Sequence, residues 1–139
     1  MVSPRVLLCP SDTSRDAAMT FSPVTNHSSL AWNGNYAVSY FVGLDASDGR
    51  PQMHLLGDRN IAGFDRQSCP PTGVSNVVTW LMPSNQPGWD ISIHRFAGNI
   101  ALADGSVVRL GMSGLRNHSV AAASDTHANC ALKPDFTTS

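Results

Sequence analysis

His94 stands nine residues ahead of Asp104-Gly105, and an imidazole and a carboxylate at that spacing are the groups in this chain best suited to chemistry. A carboxylate beside an imidazole fixes the ring tautomer and favours its charged form. With a serine added, the pair would be the skeleton of a hydrolase. Ser92 and Ser106 are close in sequence, but there is no Gly-x-Ser-x-Gly elbow and nothing in the pattern supplies an oxyanion hole. The expectation is therefore structural: the His94 ring bonds the Asp104 turn and pins a meander, and the chain is not an enzyme.

Metal chemistry is the next question. None of the five histidines (His27, His54, His94, His118, His127) stands four residues from another, and no His-Glu-x-x-His occurs. Asp58, Asn60, Asn99 and Asp104 offer hard oxygen ligands in turns, a candidate calcium set set against ordinary Asx-turn chemistry; no EF-hand loop is present. Trp32, Trp80 and Trp89, with Tyr36 and Tyr40, would make a sugar-stacking platform if exposed, and core or partner contacts if not. There is no P-loop and no dinucleotide fingerprint.

These residues need elements to position them. The run 35–43 reads as the best strand, with Tyr36, Val38, Tyr40 and Val42 on one face and Ala37, Ser39 and Phe41 on the other. Residues 52–57 read as a second strand, with Met53 and Leu55 on one side, paired to the first across a long loop. Val6-Leu7-Leu8-Cys9 fits a buried strand or a helix end, 15–19 a helical turn, and 77–82 a short strand. In the segment 91–110, Gly98-Asn99 suits a two-residue hairpin loop, which would fold His94 back against Ala103 and so beside Asp104. For the next turn, a three-residue loop Ala103-Asp104-Gly105 puts Ile100, Leu102, Val108 and Leu110 on one face. A two-residue loop mixes Arg109 into that face, so the three-residue loop is favoured, with Gly105 as a left-handed bulge residue. Residues 113–124 read as a short helix capped by Ser113. The reading is one domain over 1–139, with 1–4 as a start or linker and 126–139 as a loosely held tail.

Composition narrows the classes further. Of 139 residues 42% are hydrophobic and only 14% charged, with Lys133 the sole lysine and a net charge of −1. No basic stripe exists to neutralise phosphates, which excludes a nucleic-acid partner. Cys9, Cys69 and Cys130 form no Cys-x-x-Cys pair; they are buried thiols, or one bridge and a leftover thiol. No apolar run reaches membrane-spanning length.

The order of several short stretches is more specific than any one of them. These are Val6-Leu7-Leu8-Cys9-Pro10-Ser11-Asp12, Ser39-Tyr40-Phe41-Val42-Gly43, Gly57-Asp58-Arg59-Asn60, and His94 with Gly98-Asn99-Ile100-Ala101-Leu102-Ala103-Asp104-Gly105-Ser106-Val107. With them the chain resembles the C-terminal globular part of bacterial type II secretion pseudopilin-like proteins. More narrowly, it resembles the prepilin-type proteins with a His-x9-Asp-Gly motif, over residues 5 to about 110. The resemblance implies an α+β, pilin-like domain: a small antiparallel meander with long loops and little helix. It implies a filament or pseudopilus subunit, periplasmic or at the cell surface, whose partners are other pseudopilins or its own copies. His94, Gly98, Asn99, Asp104 and Gly105 would then shape the meander end. Calcium in a C-terminal loop of some major pseudopilins lends support to a metal near Asp104; no other cofactor is expected. Family members begin with a basic leader, a processing site and a hydrophobic helix. These residues contain none, so membrane contact is expected only through that absent helix, in a trimmed or divergent member. A calcium- or glycan-binding module, and a small hydrolase using His94 and Asp104, are the alternatives.

Overall fold

Two-residue alternation builds the central sheet. In the computed structural model, which describes residues 3–23, 27–62, 78–80, 86–122, 130–132 and 134, the strands are β1 (Tyr40–Gly43), β2 (His54–Asp58), β3 (Ile61–Ala62), β4 (Val78–Trp80), β5 (Gly88–Trp89), β6 (Ala97–Leu102), β7 (Val107–Gly111) and β8 (Cys130–Leu132). The helices are a single turn α1 (Leu30–Asn33) and α2 (Met112–Ala122). Six strands form one antiparallel sheet in the order β4-β8-β1-β2-β6-β7, and β3 pairs with β5 beside it. The chain is a small α+β domain with little helix.

The sheet has two unlike faces. On one, Phe41, Ile100, Leu102 and Ala131 pack with Leu115 of α2, Ile61 and Trp89 to make the core, flanked by Val108 and Leu110. On the other, Tyr40, Val42, Leu56 and Ala101 line an open groove with Val6 and Val107. The expected faces hold from Ala37 to Val42, where Ala37, Ser39 and Phe41 are buried and Val38, Tyr40 and Val42 border the groove; Tyr36, expected with the latter, is exposed in a 3-10 turn and does not reach it. Pairing starts only at Tyr40, because Ser29 caps α1 through Trp32 N and the chain then makes a 3-10 turn over Gly34–Ala37, entered through Gly34 at φ 52°. In β2 the register shifts between His54 and Leu56. This bulge separates Met53, which is buried, from Leu55, which is exposed.

The three-residue turn is present as expected. Ile100 pairs with Val108, Leu102 N bonds Ser106 O, and Gly105 closes the turn with φ 83°. The other turn is not. Gly98 and Asn99 lie inside β6, paired with Leu110 and Arg109. Gly98 is there for a different reason: a Cβ at this position would stand 2.4–2.7 Å from ring atoms of Trp89. A glycine inside a strand marks close approach as readily as a turn, and here the indole lies on the bare backbone.

Other expectations are corrected in smaller ways. The run Val6–Cys9 lies at the end of a 3-10 turn, Pro4–Leu7, capped by Ser3. Residues 15–19 are not helical. The helix expected from Ser113 begins one residue sooner, straight out of β7, so Ser113 lies within it rather than capping it. Cys130–Leu132, expected in a loose tail, is an interior strand between β4 and β1. Of the strand expected at 77–82, residues Val78–Trp80 form β4 and the rest lies outside the described residues. So do Cys69 and most of the tail.

Candidate functional site

Asn60 organises the segment that carries His94. It is fully buried just after β2, and its Nδ2 donates to the carbonyls of Asp90 (3.2 Å), Ile93 (2.7 Å) and Ala97 (3.0 Å). The Asn60 backbone carbonyl accepts from Asp90 N at 2.7 Å. One amide thus gathers the 90–97 loop into a tight wrap. Within it His94, Arg95 and Phe96 all have left-handed backbones, with φ of 54°, 50° and 62°. Each such L-residue costs roughly 1–2 kcal/mol, and the buried donors of Asn60 offset part of that cost. Consecutive left-handed residues without a glycine are the kind of strain that collects where a side chain must be aimed.

The aim of His94 is definite. Its Nε2 lies 3.4 Å from Cys9 Sγ and 3.5 Å from Asp58 Oδ2. Asp58 is almost completely buried on the groove face of β2, and its Oδ2 accepts from Asn99 N at 2.7 Å and Asn99 Nδ2 at 3.0 Å. Cys9 is a buried free thiol. The Cys9, Asp58 and His94 ligand atoms all lie within 4.8 Å of one another.

A second polar group holds Cys9 in place. Asp12 N bonds Cys9 O at 2.9 Å, and Ser39 N bonds Leu7 O at 2.8 Å, so the N-terminal segment is tied to the approach to β1. The Asp12 carboxylate takes a bidentate pair from Arg59 (Nε 2.7 Å, Nη2 2.6 Å) and hydroxyls from Ser39 and Ser14 at 2.8 Å each. Burial alone would push this carboxyl up. The bonds from Arg59, Ser39 and Ser14 win and hold it at about 2. Arg59 directly follows Asp58, so one ion pair positions both Cys9 and Asp58.

The cluster sits at the head of the apolar groove, which has a volume of about 630 Å³ and is bordered by all three residues. Tyr40 lines it too. Burial pushes the Tyr40 hydroxyl up, and its neighbours Cys9, Asp58 and Asp12 act in the same direction.

The pair that the sequence singles out does not form. Because β6 runs straight through Gly98-Asn99, His94 and Asp104 lie beyond opposite ends of a six-residue strand, about 20 Å of extended chain. Asp104 is exposed and caps its own turn, accepting Ser106 N at 2.8 Å; the hydrogen bonds from Ser106 lower its pKa. The candidate calcium set is divided as well. Asp58 and Asn99 are in contact, Asn60 spends its amide as a donor to three carbonyls, and Asp104 is at the far end of β6. The aromatic set is also split: Trp89 is in the core, Trp32 and Tyr36 are exposed, and Tyr40 is on the groove, while the Trp80 side chain lies outside the described residues.

Cys9 was the missed member. No spacing in the chain connects it to His94, 85 residues away. The available signal was that Cys9-Pro10-Ser11-Asp12 and Gly57-Asp58-Arg59-Asn60 belong to one ordered set of motifs.

The arrangement also speaks against a nucleophilic triad. Cys9 and Asp58 approach the same nitrogen of His94. A relay needs the acid on one ring nitrogen and the nucleophile on the other.

Comparison of the chain with family models, with curated proteins and with solved structures finds no match.

Proposed function

We propose that this domain is the headpiece of a pseudopilin-like filament subunit, acting outside the cytoplasm through assembly with its own copies or with other pseudopilins. The observation that carries the reading is convergence. The short stretches behind the resemblance are scattered from Val6 to Val107, and most of them border one place: Cys9, Asp58 and His94 meet, Arg59 pairs with Asp12 beside them, and Tyr40, Val42, Ala101 and Val107 line the adjoining groove, while Asp104-Gly105 lies at the far end of β6. Motifs that share one spatial site are better explained by a common family architecture than by chance matches. The groove face also suits assembly, since Val6, Val42, Leu56 and Val107 leave apolar side chains exposed beside one another.

Cross-linking in the producing cell tests the reading. The expected result is capture of further copies or of other pseudopilins, reduced at least tenfold by Val107→Asp. Val107 is 68% exposed, so this substitution should leave the thermal midpoint unchanged. A chain that stays monomeric at every concentration and cross-links to no pseudopilin would defeat the proposal.

A further inference from the structure

We propose that Cys9, His94 and Asp58 bind one divalent transition-metal ion of the zinc class, pinning the N-terminal segment to β2 and to the turn before β6.

The geometry is that of a ligand set. A tetrahedral ion with a metal–sulfur bond of about 2.3 Å and metal–nitrogen and metal–oxygen bonds of about 2.0–2.2 Å separates neighbouring ligand atoms by roughly 3.3–3.6 Å. The sulfur-to-nitrogen and nitrogen-to-oxygen separations here are 3.4 and 3.5 Å. The nitrogen-to-oxygen contact is long for a hydrogen bond, the sulfur-to-nitrogen contact is of ordinary thiol–imidazole length, and both converge on a single nitrogen. One ring nitrogen has a single hydrogen-bonding position in the ring plane, so a thiol bond to His94 accounts for Cys9 but not for the approach of Asp58 to the same atom; a cation placed between the three atoms accounts for both.

The donor types choose the ion. One thiolate, one imidazole and one carboxylate match zinc, cobalt or copper, whereas calcium and magnesium require mainly oxygen ligands. Support around the ligands fits the same role. Asn99 holds the Asp58 carboxylate with two N–H groups, as outer hydrogen bonds hold metal-bound carboxylates. Asn60 and the left-handed turn fix His94, and the Asp12–Arg59 pair fixes the segment bearing Cys9. The three ligands come from three separate parts of the chain, so the ion would close long loops. On binding, the Cys9 thiol proton passes to solvent and the sulfur ligates as thiolate. Because all three ligands border the groove, the fourth position falls to water or to whatever enters there.

The test is a titration of the chelator-treated, reduced protein with cobalt(II) and with zinc(II). Expected are one cobalt per chain, a thiolate-to-cobalt charge-transfer band in the near ultraviolet, tetrahedral visible bands, and displacement of cobalt by zinc. Cys9→Ser should abolish the charge-transfer band, and His94→Gln should weaken binding at least tenfold. The double variant Cys69→Ser/Cys130→Ser should keep the band, as should His118→Gln, which removes the other histidine cluster. Zinc should raise the thermal midpoint of the wild-type protein and not that of Cys9→Ser. Cobalt bound without a thiolate band, a band that survives in Cys9→Ser, or no uptake at micromolar metal would each overturn the proposal. Cys9→Ser changes one buried atom, and its far-ultraviolet circular dichroism separates lost binding from lost folding.

Discussion

The two ends of β6 use similar polar residues and are built by opposite means. At the hairpin end, Asp104 caps Ser106 two residues on, and Gly105 supplies the positive φ. Everything needed there lies within five consecutive residues, and the Asp104 side chain faces water. At the other end, His94 is aimed by an amide 34 positions earlier, and its neighbours Asp58 and Cys9 lie 36 and 85 positions away. The geometry of the hairpin end is specified by its own turn chemistry. The His94 end exists only once the sheet is assembled. A local turn and a tertiary site thus share one strand, and the cost of disturbing them should differ accordingly.

The largest expected effects fall at the His94 end. Gly98→Val drives a side chain into the Trp89 ring, and overpacking of a buried site costs about 3 kcal/mol. Asn60→Leu removes the donor shared by three carbonyls while keeping the volume, and should also cost about 3 kcal/mol. Urea unfolding midpoints measure both. If either variant unfolds at the wild-type midpoint, the loop that carries His94 is not held as described.

Acid should separate the two ends by pH window. Toward the hairpin end, His54 pairs across from Leu102 in the sheet, and its Nε2 lies 2.9 Å from His118 Nδ1 of α2. Burial, and then the charge of His118, push His54 down to about 3 from the ordinary 6.5. The unfolded chain therefore binds a proton that the folded chain refuses, and stability falls as pH drops from about 6.5 toward 3. At the His94 end, Asp12 is held at about 2 against an ordinary 3.8. Its contribution, about 1–2 kcal/mol given the solvent near Arg59, is present above pH 3.8 and is lost as pH falls toward 2. Thermal midpoints from pH 7 to 2 should thus decline in two stages. His54→Gln should remove most of the first stage, and Asp12→Asn the second. A single decline below pH 4, with nothing between 6.5 and 4, would show that the histidine pair does not titrate as its burial requires.

The same contrast explains what could be read from the residue order. The three-residue turn was legible because the choice between loop lengths depends on local apolar alternation, and Ile100, Leu102, Val108 and Leu110 do face the core together. The faces of β1 were legible for the same reason. The straight course of β6 was not, because Gly98-Asn99 has the composition of a hairpin loop and only the Trp89 ring, brought by a strand of the other sheet, accounts for the glycine. A hairpin at Gly98-Asn99 would send His94 toward Asp104; the continuous strand leaves it beside Asp58. The strand Cys130–Leu132 was missed on similar grounds: three residues carry no periodicity, and their place between β4 and β1 is decided by partners far away in the chain.

The smallest effects belong to the hairpin end, and they give the comparison its sharpest form. Gly105→Ala places a Cβ in open space, so the only cost is the left-handed backbone at φ 83°, about 1 kcal/mol. Asp104→Ala removes one exposed turn cap and nothing else. Its thermal midpoint should match the wild type within error, and its cobalt spectrum should be identical. That spectrum is the deciding measurement, because the His-x9-Asp-Gly motif invites the opposite expectation, that histidine and aspartate act together. A cobalt spectrum altered by Asp104→Ala as strongly as by Asp58→Asn would mean that the two ends of β6 are coupled, and the division between a local turn and a tertiary site would have to be abandoned.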